Sequence, residues 1–180
     1  MNTKGTQTGA KLKILLVDDH RLYRDGIEAP LSGVKDLEIV GSVSTGEEAL
    51  SQYPALKPDV ILMDIMMPGM TGIEATRWIK EQCESIKIIL VSSQVNKEWV
   101  SAGIQAGIDG YLPKDVEKST LLEAIRTVMA GGRFFTQAIT SLVFEDFYNH
   151  KKNTFAKGKC DNHKTLTKRE MQVLILVASG

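Results

Sequence analysis

Cysteine is scarce: the 180-residue chain carries only Cys83 and Cys160, far apart and outside any CxxC spacing. That excludes a disulfide framework and fits reduced thiols. An excess of charge of either sign is also missing, because 22 Lys and Arg balance 22 Asp and Glu. Overall charge therefore argues neither for nucleic acid nor for an anionic membrane surface, and partners must be inferred from local sites. No apolar run approaches the roughly 18 residues that a membrane-spanning helix needs. The opening MNTKGTQTGAK has no apolar core of signal-peptide length. The expected location is the cytoplasm, with no membrane partner. Internal repeats and low-complexity tracts are absent too. What is present is 43% hydrophobic and 24% charged residues, enough to bury one full core and a small second module.

Apolar runs of strand length alternate with segments of helical period. The strand-like runs are Leu12 to Val17, Leu37 to Val43, Val60 to Met63, Ile86 to Val91 and Ile108 to Leu112. Between them lie GEEALSQY, GIEATRWIKEQC and NKEWVSAGIQAG, and EKSTLLEAIRTVMAGG follows the last. This alternation predicts an α/β fold built from βαβ units, with a five-stranded parallel sheet covered by helices on both faces. Pro58 and Asp59 mark the start of the third strand, Gly107 and Gly110 flank the fifth, and Gly131 with Gly132 closes the last helix. Pro30 is expected to end or kink the first helix.

Beyond Gly132 the pattern changes. TQAITSLVFEDFYN has the period of one more amphipathic helix, and HKKNTFAKGKCDNHK reads as a solvated linker. KTLTKREMQVLILVASG then resumes a helical pattern, with Thr167 and Glu170 at capping-box spacing. The expected units are a flexible tail (1–10), the α/β domain (11–133), a linker helix and flexible linker (134–164) and a helix in a further module (165–180).

The chemistry gathers at strand ends. In an open α/β sheet the ligand crevice lies outside the C-terminal ends of the strands, where strand order reverses. Asp18 and Asp19 end the first strand, Asp64 the third and Ser92 the fourth, while Lys114 lies just past the fifth. Three bare carboxylates on one edge repel each other, but they suit a hard divalent cation that takes oxygen ligands octahedrally. Mg²⁺ is the expected ion. Lys114 supplies a point charge and Ser92 a hydroxyl donor for a phosphoryl group, and one of the three carboxylates can act as nucleophile. His20 reads as a solvated first-turn residue. Met63, Met66, Met67 and Met70 read as packing and loop residues, since thioethers prefer soft metals. Cys160 and His163 are two candidate ligands in a lysine-rich linker, too few to hold zinc.

The set LLVDDH, DVILMDIMMPGMTG, VSS and YLPKD resembles the receiver domain of two-component response regulators over about residues 11 to 132. The resemblance implies a flavodoxin-like strand order 2-1-3-4-5. It implies that Asp64 accepts a phosphoryl group from a sensor histidine kinase. Asp19, Asp64 and the backbone carbonyl of Met66 resemble the Mg²⁺ ligands, with Asp18 acting through a bound water. Ser92 and Tyr111 resemble the switch pair, and Lys114 the residue that pairs with phosphoryl oxygens. The chain departs from the family at one point: Pro113 precedes Lys114 and Asp115 follows, where the family commonly places a proline directly after the lysine.

The tail LTKREMQVLILVASG is similar to the opening helix of the LuxR-type helix-turn-helix output domain, and the combination resembles the NarL/FixJ class of transcriptional regulators. The resemblance implies a homodimer on phosphorylation and DNA as a partner of the full-length protein. Only the first of those helices is in this sequence, and the base-reading helix is not. This chain is therefore expected to attract phosphates weakly through Lys151, Lys152, Lys157, Lys159 and Lys164, without reading a DNA sequence. Two other classes compete. A haloacid dehalogenase-type phosphatase needs a second acid two residues after its nucleophile, and Met66 stands there. A contact-only pseudo-receiver has no need of Asp18, Asp19, Asp64 and Lys114 together.

Overall fold

The computed structural model describes residues 10–141. The expected tail before Ala10, most of the linker and the helix at 165–180 lie outside the described residues. The elements run β1 (Leu12–Val17), α1 (Arg21–Ser32), β2 (Leu37–Val43), α2 (Gly46–Leu56), β3 (Val60–Asp64), α3 (Gly72–Gln82), β4 (Lys87–Ser92), α4 (Lys97–Ala106), β5 (Gly110–Pro113), α5 (Lys118–Met129) and β6 (Phe134–Phe135). All strand pairs are parallel, in the order β2-β1-β3-β4-β5-β6. The flavodoxin-like order holds.

The sheet has six strands rather than the expected five. The added strand is two residues long, pairing Gly110 with Phe134 and Tyr111 with Phe135. It forms because the chain turns back at Gly131, whose φ of 87° favours glycine, and then lies along the open edge of β5. Residues 137 to 141 then begin a helix whose Ile139 is fully buried in the core.

Apolar side chains leave each strand alternately, so the core has two layers. On one face Leu15, Val17, Ile61, Met63, Ile88 and Leu90 meet Ala49 of α2, Ala75 and Ile79 of α3, and Val100 and Ile104 of α4. On the other, Ile14, Leu16, Leu62, Ile89 and Val91 meet Leu31 of α1 and Leu121, Ala124, Ile125 and Val128 of α5. Each fully buried Leu or Ile contributes about 1.5–3 kcal/mol.

Pro30 does not end its helix. α1 continues two residues to Ser32, and α2 likewise passes Pro54 to reach Leu56. Both prolines stand in a last turn, where only the end of the backbone ladder is affected, and Leu31 is fixed in the core. No peptide bond among the described residues is cis.

At the N-terminal ends of β4 and β5, Asp109 accepts from Lys80 Nζ at 2.6 Å and from the Ile88 backbone N–H at 3.0 Å. Lys87 Nζ lies 3.3 Å from its other oxygen. This buried, fully partnered carboxylate ties α3 to the sheet at the end opposite the acidic cluster.

Candidate functional site

The order of strands reverses between β1 and β3, and the loops that follow these two strands carry the acids. Asp18 turns the chain into α1: its Oδ1 accepts the His20 N–H at 2.8 Å, and its backbone carbonyl accepts from the Arg24 guanidinium. Arg24 Nε in turn donates to Ser42 Oγ at 3.1 Å. The N-cap of α1 is His20. His20 is 68% exposed, yet its Nδ1 lies 2.8 Å from Asp19 Oδ1. It is therefore solvated as expected, but sits just before the first turn of α1, where it leans on the acids.

Asp64 ends β3 with its carboxylate buried. The loop after it is shaped by Gly69, with φ 78°, and by Glu47 Oε1, which accepts the Met70 N–H at 2.9 Å. A capping box between Thr71 and Glu74 then starts α3. Met66 is 55% exposed at the rim, and its N–H points to Asp64 Oδ1 at 3.4 Å.

Lys114 closes the cluster. Its backbone N–H donates to the Ser92 carbonyl at 2.8 Å, which fixes the root of the side chain beside β4. Its Nζ lies 2.6 Å from Asp18 Oδ2 and 2.9 Å from Asp64 Oδ2. Burial works to lower the ammonium pKa, but the two carboxylates outweigh it and hold the group above its ordinary value. For Asp64 the balance runs the other way: burial raises its pKa, Lys114 offsets this in part, and the Asp18 charge adds to the rise.

Asp18, Asp19, His20 and Asp64 each offer a ligand atom within 4.8 Å of the others. Asp18 Oδ2 and Asp19 Oδ1 are buried and receive no hydrogen bond, although Lys114 and His20 stand close by. Hard oxygens from three carboxylates, two of which carry an oxygen without a hydrogen bond, form a donor set that fits Mg²⁺. The residues present suit the ion.

Ser92 and Tyr111 meet at a third residue that their spacing does not reveal. Ser92 Oγ donates to the Gln94 carbonyl at 2.6 Å, and the buried Tyr111 hydroxyl donates to the same oxygen at 3.3 Å. Tyr23 was equally hidden in the sequence: it faces Lys114 from α1. The signal available was its position one helical turn after Asp19. Of the residues expected at the site, Asp18, Asp19, Asp64, Met66, Ser92 and Lys114 converge on one edge. Tyr111 lies one step behind them.

The sheet order, the crevice and the acidic edge define a receiver-type α/β domain. The chain belongs to the response regulator receiver domain family, which it matches over residues 14–126. It is a two-component response regulator of the LuxR-type class. It is 36% identical to the response regulator protein VraR of Staphylococcus aureus over 169 residues, which is 94% of this chain and 77% of that protein. Among solved structures it resembles a LuxR-family two-component response regulator from Aurantimonas sp. SI85-9A1. That match has a TM-score of 0.73 at 28% identity and covers 77% of this chain and 99% of the other. The signal receiver domain of the NarL regulator from Mycobacterium tuberculosis matches at 30% identity with a TM-score of 0.65, covering 68% of this chain and 99% of that one. No helix among the described residues is long and apolar enough to cross a membrane.

Proposed function

We propose that Asp64 accepts a phosphoryl group from a sensor histidine kinase and that the resulting charge drives a transcriptional output. The observation that carries this reading is Lys114 Nζ, held between Asp18 Oδ2 and Asp64 Oδ2 at 2.6 and 2.9 Å. An ammonium placed there can leave a carboxylate for a phosphoryl oxygen without crossing the cleft. In the transfer, an Asp64 oxygen forms the new bond to phosphorus while the bond from phosphorus to the donor histidine nitrogen breaks. The histidine keeps the electron pair. Asp18, Asp19, Asp64 and the Met66 carbonyl would hold Mg²⁺, which would neutralise charge between the carboxylates and the incoming group. Ser92, whose hydroxyl now serves Gln94, is placed to turn toward a phosphoryl oxygen. That would leave the Gln94 carbonyl to Tyr111, the second member of the switch pair. The chain would work in the cytoplasm and pair with a second copy when phosphorylated, with DNA as the partner of its output module.

Incubation with acetyl phosphate and Mg²⁺ should add one phosphoryl mass to the intact chain, and chelation should stop the addition. An unchanged mass in Mg²⁺ would sink the reading. The lifetime of the adduct gives a second measure. Hydrolysis needs an in-line water, and the exposed Met66 thioether is poorly suited to orient one. Met66→Asn should speed loss of the phosphoryl group several-fold, to be followed by mass after removal of the donor. An equal or slower rate would count against a water-orienting role at that position.

A further inference from the structure

Lys114 is held from three sides, and only two of them are carboxylates. Besides Asp18 and Asp64, its Nζ stands over the ring of Tyr23, 4.8 Å from the centroid. Tyr23 lies in the first turn of α1, half-buried against the layer of Ile14, Leu16, Leu62 and Val91. It lines a small cavity together with Val17 and Asp18. Its place is firm, because its N–H donates to the His20 carbonyl at 3.0 Å and the next residue, Arg24, grips Asp18 and Ser42.

The two carboxylates are unequal guides for the ammonium during phosphoryl transfer. Asp64 is the reacting group, so its oxygen must be exchanged for a phosphoryl oxygen as Lys114's partner. The ring face is neutral and does not change in the reaction. Cation–π attraction, strengthened by partial desolvation, therefore gives Lys114 a constant support while its anionic partner changes. We propose that Tyr23 is a positioning residue for Lys114, its ring face holding the ammonium over the cleft while carboxylate is exchanged for phosphoryl oxygen. This inference rests on the phosphoacceptor reading of Asp64. Burial, followed by the charges of Asp18, Asp64 and Asp115, pushes the phenol well above its ordinary pKa. The side chain thus acts through its face and not as a phenolate.

The test uses the full chain in two readouts. In the first, nuclear magnetic resonance follows the Lys114 side-chain protons, which a ring face shifts upfield. In the second, intact mass follows labelling by acetyl phosphate with Mg²⁺. Tyr23→Leu should abolish the upfield shift and slow labelling roughly fivefold. Tyr23→Met, a flexible ringless replacement, should do the same if the leucine variant folds poorly. The conservative variant Tyr23→Phe keeps the ring and should rescue both readouts. Labelling at the wild-type rate in both ringless variants, or Lys114 shifts that ignore the ring, would overturn the inference. If wild type shows the ring shift but takes no label, the phosphoacceptor reading fails, and the shifts alone decide whether Tyr23 holds the ammonium.

Discussion

Asp64→Asn is expected to take up no phosphoryl group from acetyl phosphate and Mg²⁺ under conditions that label the wild type fully. The amide is neutral and a poor nucleophile, and it withdraws one of the three carboxylates that suit the ion. Lys114 would keep only Asp18 as an anionic partner, because its second contact is the Asp64 oxygen at 2.9 Å. Stability should move differently from activity. Burial holds the folded Asp64 carboxyl above its ordinary pKa, so its charged form is less favourable in the fold than in the unfolded chain. As pH falls through that raised value toward the ordinary one, the folded state binds the proton first and metal-free wild type regains stability. Asp64→Asn should lack that increment, which a comparison of urea midpoints between the two proteins across mildly acidic pH would reveal. Label retained by the variant would move the acceptor to Asp18 or Asp19 and refute the assignment.

Most of the scaffold could be read from the chain because buried parallel strands leave near-continuous apolar runs. Leu12 to Val17 and Leu37 to Val43 coincide with β1 and β2, and the others agree within a residue or two. The acidic edge was equally legible, since Asp18, Asp19 and Asp64 stand at strand ends and parallel topology brings such ends together. Phe134 and Phe135 were not legible as a strand. Two residues after a glycine pair show no alternation, and only the open edge of β5 makes them pair. Nothing in the pattern around Lys80 on α3 marks it as buried, yet it lies against Asp109, 29 residues away. Periodicity assigns a residue to a face of its element but does not say which distant charge it will meet. The same limit hid Tyr23, whose ring meets Lys114 only because the lysine side chain reaches from the end of β5 back to Asp64 and Asp18, beside the start of α1.

Gly72→Ala is expected to damage both the fold and the site, although it adds a single methyl at the start of α3. A Cβ built at Gly72 would lie 1.8 Å from the Asp64 carbonyl oxygen and 2.9 Å from its carbon. Both atoms are backbone, so no side-chain rotation relieves the clash. The close approach is itself part of the architecture, because the Gly72 N–H donates to the Ile65 carbonyl at 3.0 Å and seats α3 against the end of β3. Relief requires the helix to retreat or the end of β3 to shift, at a cost of about 3 kcal/mol or more. Either movement displaces Asp64 from Lys114 and should slow labelling by acetyl phosphate at least tenfold, since misplacement by a fraction of an ångström weakens positioned charges. Gly26→Ala is the matched control. Its added Cβ meets nothing within 4 Å in the middle of α1, so the change should raise stability by about 0.5–1 kcal/mol through lower backbone entropy in the unfolded chain. Urea unfolding of both variants, with labelling rates on the same preparations, checks the pair. A Gly72→Ala protein with wild-type midpoint and wild-type labelling would show that α3 does not fix the position of Asp64.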